Sequence, residues 1–400
     1  PIGRVRAMRL VDISEFFSDF GGGVRTYAHQ KLDAAAGAGV KLTIIAPGPA
    51  DRRETRLGGE IIWVRSPNLP FDHRYHLFAD MRPVHALLDE LAPDFVEASS
   101  TWRGAWMAAK WRGDAARALF LHQDPVAVYP HTFLSPALNE DLVDRLCFWF
   151  WCYLRNLAQD FELTVAPGRH FADRLKKFGV PRVNAIPLGV DHAAFSHEQR
   201  DETLRLKMLN ECGVPHADAV LFIAVSRHHP EKRLPLLMSA FSKAAFDKPA
   251  ALYIVGDGPM WKSVRSRGSR TPRVSVAGPI TDRRALAQRF ASADYFVHGG
   301  AAETFGLVVA EALCSGLPVI TPHIGGAAEL SHPSYSEAFR SGDADALAEA
   351  MMRAFARDRG AMSTAARAGG RRISSPAQHF DHLFQLYESR ISSARRREAA

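Results

Sequence analysis

Two carboxylates, Glu303 and Glu311, stand with seven residues between them in the stretch Ala301–Leu330. The residues from Thr304 to Leu313 suit a helix and include no proline, and Gly316 followed by Pro318 is a helix stop. This spacing predicts Glu303 at the mouth of a helix and Glu311 about two turns inside it. A helix mouth offers unpaired backbone N–H groups and the positive end of the dipole, which suits an anionic ligand. A carboxylate at the same mouth would repel a phosphate. Its natural partner is a pair of adjacent sugar hydroxyls, from which it can accept two hydrogen bonds. On these residues alone, Glu303 reads equally as a capping acid and Glu311 as a solvated helix residue. Leu317–Thr321 then reads as a short buried strand, closed by Pro322 and Gly325-Gly326.

Upstream, Ser226–Arg233 reads SRHHPEKR and follows the apolar run Val220–Ser226. Arg227 and Lys232 therefore belong to a loop at the carboxyl end of a predicted strand. Arginine offers a fork of donors and lysine a mobile point charge, a combination that can clamp a diphosphate. Gly256-Asp257-Gly258-Pro259 follows the next strand, Ala251–Val255, and Gly278-Pro279 follows Arg273–Ala277. Glycine at a strand end lets a ligand approach the backbone closely. Cations, glycines and two carboxylates thus map to one edge of one sheet. Asp343–Asp345 forms a DxD, which can hold a divalent metal. Its setting, SGDADALAEA, reads instead as a helix start with acids in the first turn.

The elements that position these residues alternate between strand and helix. Met8–Ile13, Val40–Ala46, Glu60–Val64, Asp94–Ala98, Ala118–His122 and Thr164–Pro167 read as strands of a first parallel sheet. Gly21-Gly22-Gly23 follows the first of them and opens a helix from Val24 to about Ala36, the arrangement that brings backbone to a phosphate. His122 ends its strand, where ligands of open α/β sheets collect. The segment Gln123–Leu138, with prolines at 125, 130 and 136, is expected as an irregular loop. Cys147–Leu154 reads CFWFWCYL, either a core helix or an aromatic surface meeting lipid or an acceptor. Arg169–Phe178 is a basic helix. Asn184–Asp191 marks the crossing into a second α/β series, and Pro376–Ile391 is a last helix before a frayed basic tail.

The 400 residues suggest two domains, 8–187 and 188–375, with 376–400 packing back on the first. The net charge of +7 suits an anionic ligand or an anionic membrane surface. Four cysteines without metal-ligand spacing read as reduced thiols of a cytoplasmic protein. No recognition helix, RNA-binding aromatic signature or zinc spacing supports nucleic acid as a partner. Pro1–Ala7 reads as an unstructured lead-in, with Met8 a plausible native start.

Taken together these residues resemble the retaining glycosyltransferases of family 4, which have the GT-B fold. The motifs that carry the resemblance are Gly21-Gly22-Gly23, His122, Ile186–Asp191 (IPLGVD), Arg227 and Lys232 in R-x4-K, Gly256–Pro259 (GDGP), and Glu303 and Glu311 in E-x7-E. Gly316–Ile320 and Gly325–Glu329 match as well. The resemblance runs from Met8 to the C-terminal helix and is most specific in the second half. It implies two Rossmann-like, doubly wound parallel-sheet domains facing a central cleft, with a UDP- or GDP-linked sugar donor held mostly by the second. Arg227 and Lys232 would bind the diphosphate and stabilise it as it leaves. Glu303 would hold the sugar hydroxyls, with backbone amides of Phe305, Gly306 and Leu307 nearby, and Glu311 the ribose. His122 would touch the donor sugar, Gly22 and Gly23 would approach the phosphates with Gly256 and Gly258 nearby, and Gly278 and Pro279 would border the base.

The resemblance also implies a hexose transferred to a glycan or lipid-linked acceptor, no metal or other cofactor, and a cytoplasmic enzyme, with the inner face of the plasma membrane as one expected setting. Other GT-B enzymes, a sugar phosphorylase or a nucleotide-sugar epimerase, are alternatives, and a basic membrane- or nucleic-acid-binding protein is another. The chain departs from the family pattern where His122-Gln123-Asp124 follows the strand, and where Ser226 and Arg233 replace glycines that usually flank the two cations.

Overall fold

The computed structural model describes residues 7–18, 23–69, 72–134 and 140–398. Gly21 and Gly22 lie outside the described residues. The chain divides into two compact units. One comprises residues up to His122, Cys147–Pro187 and the segment from Pro376; the other comprises Gln123–Leu146 and Leu188–Ser375.

The first unit is built on a sheet whose strands run, in spatial order, Val183–Ala185, Leu163–Ala166, Ala116–Phe120, Phe95–Ala98, Met8–Ile13, Val40–Gly48, Gly59–Arg65 and Arg52–Arg56. All pairs are parallel except the last, where the charged edge strand Arg52–Arg56 turns back antiparallel. The central strands are buried almost throughout, Asp12 included, because helices cover both faces. The closing helix Pro376–Glu398 belongs to this unit, and Tyr387 Oη donates to Glu97 Oε2 at 2.7 Å. Its backbone stays helical through the stretch expected to fray, since Ser392–Glu398 holds neither glycine nor proline.

The second unit carries a six-stranded, all-parallel sheet ordered Val274–Ala277, Ala250–Val255, Val220–Val225, Tyr295–Val297, Val319–Pro322 and Ser336–Phe339. Strand order reverses between Val220–Val225 and Tyr295–Val297. In open α/β sheets, ligands bind beyond the carboxyl ends of the strands at this switch point. Separate apolar clusters fill the two faces, one around Ile223, Tyr253, Phe290 and Phe296, the other around Phe222, Phe241, Ile254 and Met351.

Gln123–Leu146, expected within the first domain, instead belongs to the second unit, and the part expected as an irregular loop, Gln123–Leu138, carries helical turns at Ala127–His131 and Thr132–Leu134. Asp124 is buried and caps the first turn, its Oδ1 accepting from the Val126 and Ala127 amides at 2.9 and 3.1 Å. Pro125 takes the position after the cap, where a missing N–H costs nothing. Pro130 is accommodated because the backbone widens to a π-helix over Ala127–His131. The prolines thus shape a helix rather than forbid one. Among the described residues no helix is long and apolar enough to cross a membrane.

Candidate donor site of the second unit

The loops after the two switch-point strands carry residues singled out from the sequence. Lys232 ends a short 3-10 turn, Pro230–Lys232, in the loop after Val220–Val225. Glu303 lies in the loop after Tyr295–Val297, just before the helix Leu307–Cys314. Lys232 Nζ donates to Glu303 Oε1 at 2.6 Å and lies 3.2 Å from Glu231 Oε1. Burial alone would push the Glu303 carboxyl up, but the Lys232 ammonium, aided by His298, holds it well below the usual carboxylate range. Burial likewise opposes the charge on Lys232, and Glu303 and Glu231 outweigh it, so the ammonium sits well above its usual value. The pair is fully charged at neutral pH. Lys232 and His298 both approach Oε1 of this carboxylate, so Oε2 is the oxygen they do not engage.

His298 is a member of this cluster that the sequence reading missed. It directly follows the strand Tyr295–Val297, is 2% exposed, and stacks on Phe296. Its Nε2 lies 3.3 Å from Glu303 Oε1, within ion-pair distance but off the hydrogen-bonding angle. A histidine at a strand end beside Gly299-Gly300 was the available signal.

Arg227 is exposed, two residues beyond its strand. The backbone of its neighbour His228 is gripped by the glycine loop: His228 N donates to Asp257 O at 2.7 Å, and Met260 N donates to His228 O at 2.9 Å. Gly256 makes this fit possible. It has φ +140°, and a Cβ there would lie 1.9 Å from Ser226 O. Gly258, φ +155°, packs against the His228 backbone in the same way. Gly278 is half-buried with open space around it, and Pro279 is exposed, both just after Val274–Ala277. Gly23, the first residue of the helix Gly23–Ala38, is exposed and belongs to the first unit.

Phe305 is buried, and Gly306 caps the Leu307–Cys314 helix with φ +87°. The Gly325-Gly326 turn holds this mouth from behind. Gly326 N donates to Glu303 O at 2.7 Å, and a Cβ on Gly326 would lie 2.5 Å from Phe305 N. Leu307 is half-buried at the first turn. Glu311 lies on the buried part of this helix, where Arg283 Nη2 donates to its Oε1 at 3.0 Å. Burial pushes the Glu311 carboxyl up to about 7, and Arg283 only partly offsets it. Arg283, stacked on Phe195 at 5.0 Å, was not anticipated.

Arg233, where the family pattern has glycine, adopts φ +51°. A non-glycine residue in that conformation costs about 1–2 kcal/mol. Its guanidinium donates to Ser341 Oγ at 2.6 Å and lies near Glu140, contacts a glycine would lack. Asp343 caps the helix Ala344–Ala356 by accepting from the Asp345 and Ala346 amides, and Asp345 pairs with Lys243 at 2.6 Å. The two acids of the DxD therefore have structural duties. Among the described residues no group of three or more metal-ligating side chains is found.

His122, in the first unit, packs its ring on Phe120 and edge-on to Tyr27. Burial pushes its imidazole down to about 4, so it is neutral at pH 7. A neutral imidazole can still exchange hydrogen bonds with a hydroxyl.

Comparison with known proteins now decides the family. The model for Glycosyltransferase Family 4 matches residues 21–194, and that for Glycosyl transferases group 1 matches residues 219–357. A GDP-mannose-dependent alpha-mannosyltransferase of Mycolicibacterium smegmatis is 30% identical over 82% of this chain and 82% of its own length. The chain belongs to glycosyltransferase family 4. A sulfoquinovosyl transferase of Arabidopsis thaliana is also 30% identical, over 67% of this chain, but the match spans only 50% of that relative. Among solved structures, a sucrose-phosphate synthase from Thermosynechococcus elongatus superposes with a TM-score of 0.76 over 96% of this chain and all (100%) of its own, at 18% identity. That likeness supports the GT-B fold.

Proposed function

We propose that this family 4 member is a retaining glycosyltransferase that moves a hexose from a nucleotide-diphosphate sugar to a lipid-linked or glycan acceptor, without a metal. The single observation that carries the reading is the convergence at the second unit's switch point. Two cations, a helix mouth, a sugar-type carboxylate and a ribose-type carboxylate all sit beyond the carboxyl ends of one sheet. A GDP-linked mannose is the favoured donor, because the relative matched over most of both chains is named as GDP-mannose-dependent.

Cleaving the bond between sugar and diphosphate builds negative charge on the leaving oxygens and positive charge on the sugar ring. Lys232 and Arg227 oppose the first charge, together with the amides at the mouth of the Leu307–Cys314 helix. Glu303, ionised by its pairing with Lys232, accepts from donor-sugar hydroxyls through its open oxygen. Glu311 accepts from the ribose. The two carboxylates are held by different cations, Lys232 and Arg283, rather than facing each other across a scissile bond as in a glycosidase. The proposed setting is the cytoplasmic side of an anionic membrane.

The test is a hydrolysis screen over UDP- and GDP-linked glucose, galactose and mannose, read by nucleoside diphosphate release. Release from one or two of these, with retained anomeric configuration in the product, is expected. Release of nucleoside monophosphate, or sugar 1-phosphate formed from a glycan and inorganic phosphate, would move the assignment to another enzyme class.

A further inference from the structure

Lys232 shares its short turn with a second carboxylate. The 3-10 turn Pro230–Lys232 is closed by Lys232 N donating to His229 O and by Arg233 N donating to Pro230 O, both at 3.0 Å. The glycine pair after the strand Tyr295–Val297 lets this turn pack closely. A Cβ on Gly299 would lie 2.7 Å from Lys232 O, and one on Gly300 would lie 3.0 Å from Glu231 O. The side chains of Glu231 and Lys232 are each only 14% exposed, and Glu231 Oε1 lies 3.2 Å from Lys232 Nζ. The other oxygen, Glu231 Oε2, is buried with no hydrogen-bond partner among the described residues.

An acid at this place works against the binding of an anion. With Glu303 the cluster sets two carboxylates against one ammonium, and a diphosphate adds more negative charge. Like charges held close together and out of water repel strongly. A buried carboxylate oxygen without a donor is a further cost. A solvated acid would carry neither penalty, so the burial of this one calls for a compensating role.

The ammonium it touches supplies that role. Lysine is otherwise a mobile point charge on a flexible stem, with three N–H donors. Glu303 Oε1 stands on it at 2.6 Å from the neighbouring strand's loop, and Glu231 Oε1 at 3.2 Å from its own. Two fixed oxygens arrest the rotation of the ammonium and give its remaining N–H a set direction. A donor held in advance needs no reorganisation when charge develops on a leaving group.

We propose that Glu231 is a positioning residue, which holds Lys232 so that its remaining N–H meets the diphosphate oxygens, while weakening affinity for the diphosphate itself. The inference rests on the nucleotide-diphosphate reading of this site. It gives one carboxylate two effects of opposite sign: poorer binding of the anion in the ground state and better support of the transition state.

The test is calorimetric titration of the full chain with GDP and with UDP, beside release of nucleoside diphosphate from GDP- and UDP-linked sugars. All are measured well below the melting temperature of each variant. Glu231→Ala and Glu231→Gln should both bind nucleoside diphosphate more tightly, by about threefold, because a like charge is gone. Turnover should fall about tenfold in Glu231→Ala and less in Glu231→Gln, whose amide oxygen can still meet Lys232. A merely structural role would lower the melting temperature without this split between affinity and turnover. Weaker nucleotide binding in either variant, as expected if Glu231 Oε2 took a ligand hydroxyl, would overturn the proposal. So would undiminished turnover in Glu231→Ala. Failure of the wild type to bind either nucleotide would instead remove the nucleotide reading of the site, and the positioning role with it.

Discussion

Lys232 and Glu303 form an ion pair at 2.6 Å, although they stand seventy-one residues apart and enter from loops of two neighbouring strands. The cation proposed for a diphosphate and the carboxylate proposed for a sugar thus hold each other. Their side chains are only 14% and 18% exposed, so neither can be removed without consequence for the other.

Lys232→Ala should cost about 2–4 kcal/mol of transition-state stabilisation. It should also lower the melting temperature, because Glu303 is left as a buried charge without its ammonium. Adding Glu303→Gln should restore part of the melting temperature but none of the turnover. A thermal and kinetic double-mutant cycle checks this, and independent effects of the two substitutions would contradict the coupling.

His298 Nε2, 3.3 Å from Glu303 Oε1, is placed to act through that carboxylate. His298→Asn should lower kcat about tenfold, or ~1.4 kcal/mol, with nucleoside diphosphate affinity nearly unchanged. Steady-state kinetics beside equilibrium titration separates the two, and a loss confined to nucleotide affinity would remove His298 from this role.

Glu311 sets a pH dependence. Folding raises its pKa from 4.5 to about 7, so its contribution to stability is fully present below the unfolded value and is lost as pH rises through about 7. The melting temperature of the wild type relative to Glu311→Gln should therefore fall between about pH 5 and about pH 8. Ribose hydroxyls prefer the ionised form, so nucleotide affinity should rise over the same interval and level off above it. Glu311→Gln should bind nucleotide more weakly and without this slope, whereas Glu303→Gln should mainly lower turnover. Equal loss of nucleotide affinity in both variants would sink the division of roles.

Turnover should survive a chelator, because Asp343 and Asp345 are occupied in capping a helix and pairing with Lys243. Loss of activity with a chelator, restored by magnesium or manganese, would overturn metal independence.

Much of this site was legible because its signals are local. Strand ends followed by glycine or by Arg227 and Lys232 are readable from short-range pattern, and so is the helix that follows Glu303. What pairs across the sheet is not. The contacts of His298 with Glu303, and of Arg283 with Glu311, depend on strand order, which short-range periodicity leaves open. Arg233 was noted as a departure, but its left-handed backbone and its bond to Ser341 emerge only in three dimensions. The helical turns at Ala127–Leu134 were missed because a proline was read as a breaker, when Asp124 and a π-turn absorb Pro125 and Pro130. The aromatic run at 148–153 resisted a single reading because one helix serves both the core and the surface.

The central claim is that the second unit's switch point holds a nucleotide-diphosphate sugar. A structure determined with GDP or UDP bound tests it most directly. The account predicts diphosphate oxygens within hydrogen-bonding distance of Lys232 and Arg227, and ribose hydroxyls on Glu311. A nucleotide seated away from these three side chains would contradict it.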